Sequence, residues 1–153
     1  GQTASPDDLF LMVRGMRTLA LRLERQGEAA LAIAHELAGR AEVKRVLHPG
    51  LAGDPGHALW KRDFTGASGL FGVELQPCSP AQVAAFVDHC EFFGIGYSWG
   101  GFESLVIPAN LRHGRKVRPW EGGPLIRLHI GLEDPADLLA DLDRAFARLR
   151  AAA

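Results

Sequence analysis

The chain has 153 residues, 17 Lys plus Arg against 18 Asp plus Glu, and 47% hydrophobic residues. That is the size of one domain, or of one piece of a larger one, and it is long enough to bury a core. The near-zero net charge argues against a general nucleic-acid binder, no apolar run is long enough to cross a bilayer, and no signal peptide is visible.

Gly1 to Ala4 read as a loose end. Ser5-Pro6-Asp7-Asp8 is a helix start: a capping hydroxyl, a proline in the first turn and two acids at the positive end of the helix dipole. Leu9, Met12, Val13, Met16, Leu19 and Leu23 follow helical spacing. The pattern resumes at Ala30, Ile33, Ala34 and Leu37 and stops at Gly39. One straight helix of that length is unusual, so a break is expected, with Gly15 weakening the first part and Thr18 able to cap the second.

Val43 to Leu47 is a short strand ending at His48-Pro49-Gly50. A Gly-, Pro- and Asp-rich loop follows to Gly66, with a helical turn near Ala58–Lys61. Gly69 to Leu75 alternates, with Phe71, Val73 and Leu75 on one side and Leu70, Gly72 and Glu74 on the other, which predicts a strand. Ser79-Pro80-Ala81-Gln82 opens a helix carrying Val83, Phe86, Val87 and Cys90 on one face and ending at Gly94. Ile95 to Trp99 reads as extended, Gly100-Gly101 as a turn, and Ser104 to Ile107 as another strand. Asn110 to Pro124 is polar and irregular, with room for a helical turn.

Leu125 to Asp134 organises the chain. Ile126, Leu128 and Ile130 point to one face; Leu125, Arg127 and His129 point to the other. Asp134 then caps a last helix, with Pro135 at its first position and Leu138, Leu139, Leu142, Ala145, Phe146 and Leu149 on its inner face. The element order predicts an α+β fold: a mostly antiparallel sheet with helices on one face.

An arginine in the middle of an oily strand needs an anionic partner, because an unpaired buried charge is expensive. Its planar fork matches a carboxylate with two parallel hydrogen bonds. The partner is an Asp or Glu of this chain, with Asp63 and Glu103 in reach of consideration, or the carboxylate of a substrate. Tyr97-Ser98-Trp99-Gly100-Gly101-Phe102-Glu103 is the second dense stretch. Its aromatic rings supply an apolar wall, and its Ser, Tyr and Trp supply hydrogen-bond donors. The competing reading is a tight loop with one aromatic plugged into the core and Glu103 supporting the loop. His129 reads as a satisfied core group rather than a catalyst.

Other patterns fail. His35-Glu36 lacks the second histidine of a zinc-protease motif, and Gly94-Ile95-Gly96 lacks the last glycine of a dinucleotide fingerprint. The six histidines show no ligand spacing, so no metal is expected. Cys78 and Cys90 lie in no metal or redox spacing and read as two thiols of a reducing cytoplasm, with a disulfide between them left open.

Taken in order, Arg14-Gly15-Met16-Arg17-Thr18-Leu19, His48-Pro49-Gly50-Leu51, Phe64 to Phe71, Tyr97 to Leu105 and Ile126 to Asp134 resemble the Cys/Met-metabolism family of pyridoxal-phosphate enzymes. The match covers nearly the whole chain, and Ser98-Trp99-Gly100-Gly101-Phe102-Glu103-Ser104 is closest to its β-lyase branch. The resemblance implies a fold, the small C-terminal domain of aspartate-aminotransferase-like (fold type I) enzymes, spanning 1–153. It implies a carbon–sulfur lyase that cleaves cystathionine to homocysteine, pyruvate and ammonia, within a homo-oligomer. It implies Arg127 as the clamp on the substrate α-carboxylate, Ser98 and Trp99 beside that carboxylate, and Tyr97 at the entrance. Alternatives are γ-elimination or γ-replacement in the same family, or a non-catalytic carboxylate-binding module. Lys44, Lys61 and Lys116 do not match the family's cofactor-lysine segment, and the phosphate-binding and ring-stacking parts are missing. The expectation is therefore a C-terminal fragment without the large domain, binding no pyridoxal phosphate and inactive alone.

Overall fold

Ser5 starts the first helix as its side chain requires. In the computed structural model, which describes residues 2–111, 115 and 117–152, the Ser5 hydroxyl accepts from the Asp8 amide at 3.1 Å, and the Asp8 carboxylate answers to Ser5. This capping box opens α1 (Pro6–Met16), and the break falls where Gly15 and Thr18 place it, before α2 (Leu19–Ala38). Thr18 stands at the N-cap position, but its hydroxyl donates back to the Gly15 carbonyl instead of capping α2.

The remaining elements are β1 (Val43–Leu47), α3 (His57–Asp63), β2 (Leu70–Leu75), α4 (Pro80–Val87), β3 (Gly94–Ile95), β4 (Leu105–Pro108), β5 (Leu125–His129) and α5 (Pro135–Ala151). The strands form one sheet in the order β1-β2-β5-β4-β3. All neighbours are antiparallel except β3 and β4. The α+β architecture expected from the sequence is therefore present.

Alternation along β5 divides the sheet. Ile126 and Leu128 pair across to Val73 and Phe71, and with Ile130 they join a buried core completed by α2, α4 and α5. Ile33, Leu37, Leu138, Leu142 and Phe146 are its largest fully buried helical members. Burying each large apolar side chain contributes about 1.5–3 kcal/mol relative to exposure.

Three expectations need correction. α3 is a full helix, not a single turn. α4 ends at Val87, so Cys90 lies beyond it, and Gly94 begins β3 rather than ending the helix. The extended stretch is only Gly94–Ile95, and Gly96 to Phe102 is loop. The helical turn expected within Asn110–Pro124 falls largely on 112–114 and 116, which lie outside the described residues; the Arg115 amide donates to the Leu111 carbonyl, four residues back, at 3.3 Å.

The α4 correction has a physical cause. Asp141 on α5 is fully buried, and its carboxylate accepts from the amides of Glu91, Phe92 and Phe93. Those bonds pull the chain out of helical geometry and aim it into β3. The two cysteines are free, so no disulfide joins them. Burial, then the nearby Asp141 carboxylate, pushes the Cys90 thiol up to about 11.

Candidate functional site

Arg127 sits at the centre of β5, between Gly72 of β2 and Ile107 of β4. Its side chain leaves the sheet on the face away from the helical core. There its Nη2 donates to the backbone carbonyls of Gly96 at 3.1 Å and Ser98 at 3.2 Å. Its Nε is buried and has no hydrogen-bond partner among the described residues. No carboxylate among them pairs with it. Asp63 is held by its neighbour Arg62 at 2.7 and 2.8 Å, and Glu103 is exposed. Carbonyl oxygens orient a guanidinium without neutralising it. The fork is therefore aimed and half-buried, and it keeps donors for an anion.

Tyr97, Ser98 and Trp99 stand on the loop that holds Arg127. None is plugged into the core: Tyr97 is 82% exposed, Trp99 63% and the following Phe102 67%. The loop's own backbone is fixed instead. Gly100 turns it with φ +81°, a region that disfavours side chains. Its amide lies 3.1 Å from His129 Nε2, which also stands 3.3 Å from the Gly101 carbonyl. The ring tautomer decides which of these bonds forms. Burial lowers the His129 pKa; the Gly101 carbonyl and Glu133 oppose this, and Arg127 adds to it. Burial thus favours the neutral ring, a buried hydrogen-bonding strut as its place on the strand suggests.

Glu133, not Glu103, ties the far end of the loop. It accepts from the Ser104 amide at 2.9 Å and the Ser104 hydroxyl at 2.7 Å, and that hydroxyl accepts from the Gly131 amide at 2.8 Å. Gly131 permits the approach: a Cβ there would stand 2.2 Å from the Phe102 carbonyl oxygen.

Two further supports come from α2 and have no counterpart in the sequence reading. Arg22 donates to Gly100 at 3.3 Å, and buried Gln26 donates to Gly101 at 2.6 Å. The one available signal was Gln26 itself, a polar residue in the gap between Leu23 and Ala30 of an otherwise apolar face.

Among the described residues, neither Lys44 nor Lys61 is placed as a cofactor-bearing amine. A register shift in β1 between Val43 and Arg45 lets consecutive cations reach one acid. Lys44 Nζ and Arg45 Nε bind the buried Glu74 carboxylate at 2.8 and 2.7 Å. Burial raises the Glu74 pKa, but the hydrogen bonds from Lys44, the Gly123 amide and Arg45 outweigh it and hold the carboxyl at about 2. Lys44 is therefore committed, Lys61 is exposed on α3, and Lys116 lies outside the described residues. A groove of about 800 Å³ runs between α4 and the 120–124 turn, but Arg127 does not line it. The candidate site is the open β5 face with its loop.

A sequence model described as "Cys/Met metabolism PLP-dependent enzyme" matches residues 1–147. The cystathionine beta-lyase of Escherichia coli (strain K12) is 46% identical over 154 residues, covering 97% of this chain and 39% of that protein. The L-alanine/L-glutamate racemase of Wolbachia pipientis wMel is 43% identical over 152 residues, covering 97% of this chain and 38% of that protein. Among solved structures, cystathionine gamma synthase from Xanthomonas oryzae pv. oryzae superposes with a TM-score of 0.85 at 40% identity, covering 99% of this chain and 40% of that one. The chain thus spans about two fifths of the length of the proteins it matches.

Proposed function

This chain belongs to the Cys/Met-metabolism PLP-dependent enzymes, and from that premise we propose that it is the C-terminal, substrate-carboxylate-binding domain of a carbon–sulfur β-lyase acting on L-cystathionine. The observation that carries the reading is Arg127: oriented by two carbonyls, paired with no acid among the described residues, and left with a buried Nε that has no acceptor. An α-carboxylate supplies the missing charge.

Pyridoxal phosphate supplies the electron-withdrawing chemistry in this family. No described residue of this stretch fits it, so their work is binding and orientation. Arg127 fixes the carboxylate end of the amino acid. Ser98 and Trp99 lie beside it, with a hydroxyl and an indole N–H as further donors, and Tyr97 lines the approach. Holding one end of the substrate sets the direction of its Cα–H bond, and orientation of that kind contributes several kcal/mol to catalysis. On this reading residues 1–153 alone do not turn over cystathionine when pyridoxal phosphate is added, and the full-length protein is a homo-oligomer. A cytoplasmic setting is supported by the two unpaired thiols.

In the full-length enzyme, Arg127→Ala is expected to raise KM for L-cystathionine about 10- to 150-fold, since one charge-assisted hydrogen bond is worth about 1.5–3 kcal/mol. Arg127→Lys should rescue poorly, because a point charge does not reproduce the fork. Unchanged kinetics would remove Arg127 from the role. A second reading, γ-elimination or γ-replacement, is favoured by the Xanthomonas similarity. Product analysis separates it: pyruvate with homocysteine supports β-elimination, and 2-oxobutyrate with cysteine supports γ-elimination.

A further inference from the structure

The loop that aims Arg127 is itself held from a distant part of the chain. Arg22, in the first turn of α2, uses all three of its guanidinium nitrogens. Nε donates to the Thr18 hydroxyl at 3.2 Å, Nη2 to the Gly15 carbonyl at 2.9 Å and Nη1 to the Gly100 carbonyl at 3.3 Å. One side chain thus ties together the end of α1, the start of α2 and the turn of the candidate site. One helical turn on, Gln26 takes the next carbonyl, that of Gly101. The Gly100 amide lies 3.1 Å from His129 Nε2. Two successive carbonyls are therefore held, and the peptide units at this glycine pair are not free to flip.

The consequence reaches the site through two residues of backbone. Ser98, whose carbonyl holds Arg127 Nη2, lies two positions before Gly100. A turn rotated at Gly100 would carry the Ser98 carbonyl and the Trp99 ring with it, and Arg127 would lose one of its two orienting acceptors. Guanidinium–carboxylate recognition is directional, so a misaimed fork binds poorly even though its charge is intact. We propose that Arg22 is a positioning residue for the Arg127 carboxylate site, acting through the Gly100-Gly101 turn. This rests on the reading of Arg127 given above. Arg22 touches no substrate in this role. It sets the loop on which Ser98 and Trp99 stand, and it makes that loop answer to the geometry of the α1–α2 break.

The test is a double-mutant cycle in the full-length holoenzyme, with L-cystathionine as substrate. Arg22→Met and Arg22→Lys are each made alone and on an Arg127→Ala background. Arg22→Met is expected to raise KM about tenfold or more with kcat little changed, the scale of loss that a small misplacement of a binding group produces. Arg22→Lys should fall between, since one ammonium reaches fewer of the three acceptors. On the Arg127→Ala background both substitutions should add little, because there is no longer a fork to aim.

Losses that multiply in full on that background would overturn the proposal, since a general defect in folding does not depend on Arg127. A KM unchanged in both Arg22 variants would overturn it too. Should Arg22→Met fail to accumulate as soluble protein, Arg22→Lys carries the same cycle. The two readings fail differently. An unchanged KM in Arg127→Ala alone removes the carboxylate reading and the positioning role with it. A raised KM there with no response at Arg22 removes the positioning role only.

Discussion

The Glu133 carboxylate grips Ser104 twice, at its amide and at its hydroxyl, across the junction where β5 leaves the sheet and the aromatic loop enters β4. Ser104 is buried, and its hydroxyl also receives the Gly131 amide. Replacing Ser104 by alanine therefore leaves a buried N–H and a carboxylate oxygen without their partner. Ser104→Ala should destabilise the 153-residue chain by about 1–3 kcal/mol, the usual cost of an unsatisfied buried polar group. A urea midpoint unchanged from the parent chain would show that water replaces the hydroxyl at no cost.

Acid should unfold the chain in two separate windows. Burial lowers the pKa of His48 and of His129 below the ordinary value of 6.5. The unfolded chain takes up those protons first, so this stability is present above pH 6.5 and lost as pH falls below it. Glu74 has the opposite chemistry but the same sense. Its carboxyl is held at about 2 against an ordinary 4.5, so its contribution is present above pH 4.5 and lost as pH falls toward 2. With half-exposed cationic partners, that contribution is about 1–3 kcal/mol. Urea midpoints measured from pH 8 to pH 2.5 should decline in both windows. Glu74→Gln should start lower at pH 7 and lose most of the second decline, and a second decline that survives intact would assign it to other carboxylates.

Asp141 offers a test of how far α5 controls the site. Its buried carboxylate holds the amides of residues 91–93 and receives Arg144 at 3.3 Å. Asp141→Asn keeps the volume but brings donors where three amides already donate. The expected cost is about 2 kcal/mol or more, because a buried charged acceptor is lost from a network that depended on it. Hydrogen exchange should show faster exchange at Phe92, Phe93 and Gly94 than at the α5 amides. Uniformly faster exchange throughout would mean that Asp141 stabilises the whole fold rather than this entry into β3.

What the sequence made legible was local. Ser5, Ser79 and Asp134 announce helix starts because a cap is a relation within three residues, and all three side chains accept the expected amides. The alternation of β5 identified both its core face and the misfit Arg127. What escaped was chemistry between residues far apart in the chain. Cys90 keeps helical spacing with Phe86, yet the helix ends at Val87, because an acid some fifty positions later claims the next amides. Gln26 interrupts an apolar face and Arg22 carries no mark at all, and nothing near either in the chain points to the carbonyls of Gly100 and Gly101 as their acceptors. Glu103 seemed the loop's natural acid, but Glu133 does that work from across the strand pair. Short-range rules see caps and faces; they do not see which distant backbone group a side chain will meet.

α1 shows the same limit in reverse, and it makes the last prediction. Its apolar spacing was read correctly, yet none of its residues is buried: Leu9, Phe10, Leu11, Met12 and Val13 are each 49–63% exposed. A helix that exposes five consecutive large apolar side chains presents a patch that associates with apolar surface. The 153-residue chain should therefore self-associate, and sedimentation velocity should show the weight-average species growing with concentration. Phe10→Glu with Met12→Glu should shift it toward monomer, since a charge on the patch has to be desolvated for the contact to form. The capping box at Ser5 and the α2 contacts to the sheet are untouched by these changes, so circular dichroism should keep its helical signal. If the parent chain sediments as a monomer at all concentrations, α1 is not a self-docking surface, and its exposure has to be explained by a partner surface outside residues 1–153.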